Sequence, residues 1–86
     1  MNTDKARNFL DYAQSVVEHP KVHEHLIKML NGWDVYIENG LLTSGQSYYK
    51  VSDPQQFLDK ALEIVNLFCD NEYNRNQANV LYNKVK

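Results

Sequence analysis

The sequence predicts an all-α fold, a small antiparallel four-helix bundle. Three observations carry this. Four segments repeat apolar residues at i, i+3, i+4 and i+7, helix-capping residues stand at the segment boundaries, and 86 residues leave room for one core only, since single domains typically run to about 100–150 residues. Residues 1–86 are therefore expected to form a single domain. With 43% hydrophobic residues, 23% charged residues and a formal net charge of −2, burial can compete with chain entropy and the chain should fold.

The first segment offers Asn2 or Thr3 as N-cap and Asp4 in the first turn, where a negative charge suits the positive end of the helix dipole. Ala6, Phe9, Leu10, Ala13, Val16 and Val17 then fall on one face, which predicts an amphipathic helix over roughly 4–18. His19-Pro20 ends it, because the residue before proline is pushed out of the helical region and proline favours the first position of the next helix.

The second helix starts near Pro20. Val22, Leu26, Met29, Leu30, Trp33, Tyr36 and Ile37 keep helical spacing straight through Gly32, whose cost is about 1 kcal/mol. Trp33, Val35 and Ile37 also alternate as a strand would, Asn39-Gly40 is a strong hairpin dipeptide, and 46–51 is a possible partner strand. Capping favours the longer helix: with Asn39 as C-cap and Gly40 left-handed, Leu41 makes an apolar contact back to Tyr36. The alternative fold is α+β, with a hairpin or meander in 33–51 flanked by helices.

Residues 40–52 form a long connection expected to cross one end of the bundle. Ser52-Asp53-Pro54 supplies cap and first-turn chemistry for a third helix carrying Phe57, Leu58, Ala61, Leu62, Ile64, Val65, Leu67, Phe68 and Cys69. Its polar residues, Asp59, Glu63, Asn66 and Asp70, make one narrow stripe, so this helix is expected at the centre of the core. A break at 70–74 follows, with Asn74 expected to cap a last helix that turns Ala78, Leu81 and Val85 inward.

No pattern of residues specifies a chemistry. The single cysteine, Cys69, allows no intrachain disulfide and no multi-thiolate zinc site, and its place on an apolar face reads as a small buried hydrophobe. His19, His23 and His25 cluster with Glu18 and Glu24, but His23 and His25 point about 200° apart on a helix, and Pro20 separates His19 from His23, so no metal site is expected. There is no Gly-rich phosphate loop, no serine elbow and no Cys-His signature, so catalytic residues and cofactors are not expected and the protein should not be an enzyme. Residues 1–19 lack the continuous apolar run of a signal peptide, and no run reaches the roughly 20 apolar residues that span a bilayer. The expected setting is the cytoplasm, with no membrane partner.

Two constellations suggest contact with other molecules. Leu41, Leu42, Tyr48 and Tyr49, together with Trp33 just before them, form an aromatic-rich group suited to a protein interface, either with a partner protein or with a second copy in a homodimer. Two adjacent tyrosines in an extended segment point to opposite sides, so one of them faces away from the core. The second constellation lies in 74–86, where Arg75, Lys84 and Lys86 give a local charge of +3 beside −4 over 53–73. There Arg75, Asn76, Gln77, Asn79, Asn83, Lys84 and Lys86 are residue types that read bases and phosphates. Nucleic-acid binding is the less favoured reading, because phosphate neutralisation needs a strongly basic surface and the pI is near 5.8. In size, acidity and helical layout the chain is similar to small cytosolic immunity and inhibitor proteins of bacteria and phages, a likeness of shape that no motif carries. The leading expectation is a small non-catalytic protein-binding module, a cytosolic regulator, inhibitor or immunity-type accessory protein that acts by protein–protein contact.

Overall fold

The computed structural model describes residues 3–39 and 54–85. They form four helices: α1 (Thr3–Val16), α2 (Pro20–Asn39), α3 (Pro54–Phe68) and α4 (Glu72–Val85). No strand occurs among the described residues, and the molecule is a small all-α four-helix bundle. α2 runs unbroken through Gly32 to Asn39. The α+β alternative thus loses its first strand, since residues 33–39 are helical. The reason is packing: Leu26, Met29 and Trp33 are all buried at helical spacing, and burying each stabilises the helix by about 1.5–3 kcal/mol, more than the glycine costs. The rest of that hairpin, and the Gly40 cap with its Leu41 contact, lie outside the described residues.

Local chemistry explains the boundaries. His19 caps α2: the Val22 N–H donates to His19 Nδ1 at 3.4 Å and the His23 N–H to the His19 carbonyl at 2.8 Å, with Pro20 at the first helical position, where its missing N–H costs nothing. At the other turn the cap is Asn71, not Asn74 as expected. Asn71 Oδ1 accepts from the Asn74 N–H at 3.0 Å, and the Asn71 carbonyl accepts from the Arg75 N–H at 3.0 Å. Asn71 wins because α3 continues close to the turn: the Cys69 N–H still donates to the Val65 carbonyl, which leaves the next asparagine in place to start α4. The Arg75 guanidinium donates back to the Cys69 carbonyl, satisfying one of the orphan acceptors at the end of α3.

α1, rather than α3 alone, is the hub. It packs on all three other helices, α3 packs on α2 and α4 as well, and α2 and α4 do not touch among the described residues. α1 buries Ala6, Phe9, Leu10 and Ala13, and its two alanines let neighbouring backbones come close. α3 buries Phe57, Leu58, Ala61, Ile64 and Val65 but leaves Leu67 67% and Phe68 41% exposed, so it is less completely enclosed than its composition predicts. α4 turns Ala78, Tyr82 and Val85 inward, with Leu81 only partly buried against the core. Tyr82 is the inward residue that apolar spacing missed. Its ring meets Phe9 edge-on at 5.6 Å between centroids. Its hydroxyl donates to the Asp59 carboxylate and accepts from Gln55 Nε2 at 2.7 Å, which staples α4 to α3.

Burial, followed by the bond to Asp59, pushes the Tyr82 hydroxyl up to about 12. The folded state therefore holds this proton more tightly than the unfolded chain, so the contribution is complete below pH about 10 and is lost as pH rises towards 12. Tyr82→Phe should lower stability by about 1–2 kcal/mol and flatten this alkaline decline, measured by urea unfolding at pH 7 and at pH 11. Asn71→Ala should cost about 1 kcal/mol through loss of the cap, read in the same urea midpoint with helical content retained.

Candidate functional site

The sequence pointed to the connection after α2, and Leu41, Leu42, Tyr48 and Tyr49 fall outside the described residues. Trp33 is a core residue: it is fully buried, stacks on Phe57 at 6.0 Å and meets Tyr36 at 5.1 Å. In the last helix, Arg75 and Asn79 are engaged within the fold. Arg75 closes the end of α3, and Asn79 Nδ2 donates to Asn66 Oδ1 at 3.2 Å and to the Arg75 carbonyl at 2.8 Å. Asn76, Asn83 and Lys84 are exposed and Gln77 is half-buried; Lys86 lies outside the described residues. The structure therefore gathers no continuous basic face from these residues, because two of them point at α3.

The histidines occupy three different environments. His19 caps α2 and lays its ring against Phe68, 5.7 Å between centroids. His23 Nε2 accepts from the Gln14 amide at 3.1 Å, linking α2 to α1. His25 faces α3. No group of three or more His, Cys, Asp or Glu side chains among the described residues is placed to hold a metal ion, as helical spacing disperses them.

A groove between α2 and α3 does bring together residues that the sequence reading left apart. Lys21, Val22 and His25 line one wall, and Lys60, Ile64 and Phe68 the other, around a space of about 260 Å³. α2 and α3 run antiparallel here, so the first turn of α2 sits beside the last turn of α3. Spacing explains both walls. Residues 60, 64 and 68 repeat every fourth position and share one helix face, and residues 21, 22 and 25 share a face of the facing helix. The floor is apolar and the rim is cationic. The first turn of α2 contains no acid and carries Lys21 instead, where the helix dipole itself is positive. Phe68, on the groove wall, and its sequence neighbour Leu67 are both exposed.

The electrostatics of the groove register on His25. Burial, then Lys60, then Lys28 hold its imidazolium below the ordinary histidine range, so it is neutral at pH 7. A second hollow of about 320 Å³ lies at the α1 and α3 ends, lined by Val16, Glu18, Cys69, Asp70, Asn71 and Asn74. Three of its residues serve the fold: Asn71 caps α4, Asn74 Oδ1 accepts from the Tyr12 hydroxyl at 3.2 Å, and the Cys69 thiol reaches the Asn71 carbonyl at 3.6 Å.

No protein-family model, curated protein or solved structure matches the chain. The groove thus has to be read from its own chemistry. Of its six residues, spacing alone placed Val22, Ile64 and Phe68 on apolar faces. The missed signal was Lys21, a cation in a first turn where an acid is favoured, together with Lys60 one helical turn before Ile64.

A lowered histidine pKa disfavours the protonated folded state. Stability should therefore be complete above pH about 6.5 and fall as pH drops below it, levelling off once His25 titrates in the folded protein. An NMR titration of His25 should give a midpoint below 6.5, and Lys60→Met should move that midpoint upward.

Proposed function

We propose that the chain is a small non-catalytic protein-binding module, a cytosolic regulator, inhibitor or immunity-type protein that acts by protein–protein contact through the α2/α3 groove. The observation that carries the reading is Phe68. This aromatic ring belongs to the most apolar helix yet remains 41% exposed, lining a groove and lying next to the still more exposed Leu67. Scattered single apolar side chains are ordinary on protein surfaces, whereas an aromatic that lines a hollow beside a second large apolar side chain is what interface anchors look like.

Among the described residues, no helix is long and apolar enough to cross a membrane, which is consistent with this reading. The displaced proton equilibria have structural causes: Tyr82 is raised by burial and its bond to Asp59, and His25 is lowered by burial and neighbouring lysines. The nucleic-acid alternative in 74–86 draws no comparable support, since Arg75 and Asn79 are spent on the α3–α4 contact.

Phe68→Glu places a charge at a partly exposed ring, so helical circular dichroism should stay unchanged. Capture from a lysate of the source cells, wild type against variant and quantified by mass spectrometry, should show at least about a tenfold loss of the bound protein, as expected for an interface anchor. Equal capture by both proteins, or nothing above background with wild type, would sink the reading.

A further inference from the structure

Resting on the protein-binding reading above, we propose that the α2/α3 groove receives an acidic amphipathic segment of a partner protein, whose apolar side chain seats on Val22, Ile64 and Phe68 and whose carboxylates meet Lys21 and Lys60. Charge complementarity selects this occupant. The rim is cationic on both walls, with Lys21 on α2 and Lys60 on α3, and the positive end of the α2 dipole, whose first turn holds no acid, adds to it. Lys60 does pair with Glu63, at 3.6 Å, but both side chains are about half exposed, and such pairs contribute well under about 1 kcal/mol. A partner carboxylate replaces this pair at little cost.

Size supports the same occupant. A space of about 260 Å³ is smaller than the roughly 300–1,000 Å³ of small-molecule sites. It suits an anchoring side chain and leaves the rest of the ligand outside, where the lysines stand. Two nearly antiparallel helices form the walls, the arrangement in which an amphipathic helix lays its apolar face along a groove.

Two other occupants fit the charge less well. Residues 40–53 carry only Lys50 and Asp53 as charged side chains, so this segment lacks acids around its leucines and tyrosines. A second copy offers Leu67 flanked by Glu63 and Asp70, all exposed, yet Glu63 is already engaged with Lys60 of its own helix. A separate acidic segment brings carboxylates that have no lysine of their own beside them.

The test titrates the isotopically labelled full chain, followed by NMR, with a synthetic amphipathic peptide of about 15 residues, long enough to hold a helix when bound, with leucines on one face and glutamates flanking them. A control peptide carries lysine at every glutamate. Amide shifts should concentrate on residues 21, 22, 25, 60, 64 and 68, and the glutamate peptide should bind at least about tenfold more tightly than the lysine peptide at low salt. Lys21→Glu and Lys60→Glu change exposed side chains, so the fold is kept, and each should weaken binding about fivefold. Equal binding of both peptides in the groove would overturn the acidic preference while leaving the protein-binding reading intact. Shifts elsewhere, or none at about 1 mM peptide, would overturn the groove as the site of acidic recognition. Groove shifts that grow with protein concentration before any peptide is added, with a doubled mass by light scattering, would assign the groove to a second copy and overturn the proposal.

Discussion

The apolar stripe of α1 holds the bundle together. Ala6, Phe9, Leu10 and Ala13 are all buried, as is Val17 just past the helix end, and α1 is in contact with each of the other three helices. α2 and α4 never meet among the described residues, so neither supports the other directly. They are placed by what α1 and α3 present between them. Phe9 reaches the ring of Tyr82 on α4 edge-on, and the two buried alanines add little bulk to the stripe. Enlarging Ala6 or Ala13 would push on two or three helices at once, whereas trimming a residue on α4 would affect one flank.

Polar bonding is distributed unevenly around α3, and this asymmetry separates its structural side from its open side. Towards α4, Asp59 and Gln55 meet Tyr82, Asn66 meets Asn79, and the Cys69 carbonyl just past the helix end meets Arg75. Towards α2, Phe57 stacks on Trp33, and Ile64 and Phe68 line the groove with Lys21 and Lys60 at its rim. One side of α3 is closed by hydrogen bonds that need fixed geometry, and the other is a shallow apolar surface with mobile lysine stems around it. A ligand can enter the second side without breaking the first.

How legible this was depends on the kind of signal. Apolar spacing and proline placement located all four helices, and the Gly32 question was answered by Leu26, Met29 and Trp33, whose burial outweighs one glycine. Spacing could not find Tyr82, because a tyrosine becomes a core residue only when partners such as Asp59 and Gln55, more than twenty positions away, satisfy its hydroxyl. It also misplaced the α4 cap, since Asn71 and Asn74 carry the same side chain and only the end of α3 distinguishes them. The groove was half legible. Val22, Ile64 and Phe68 were visible as apolar positions, but the exposure of Phe68 follows from where α2 begins, which no periodicity within α3 encodes. Trp33 drew attention as a possible contact residue and instead fills the core between α2 and α3.

That last placement has a use beyond packing. Trp33 is the single tryptophan of the chain, fully shielded from water and stacked against Phe57, and its indole N–H finds no acceptor among the described residues. Its emission is set by an apolar, water-free surrounding and by the closeness of α2 to α3. The protein therefore carries a built-in optical gauge of that seam: a red shift marks separation of the two helices, while a ligand that rests on the outer groove leaves the colour of the emission unaltered.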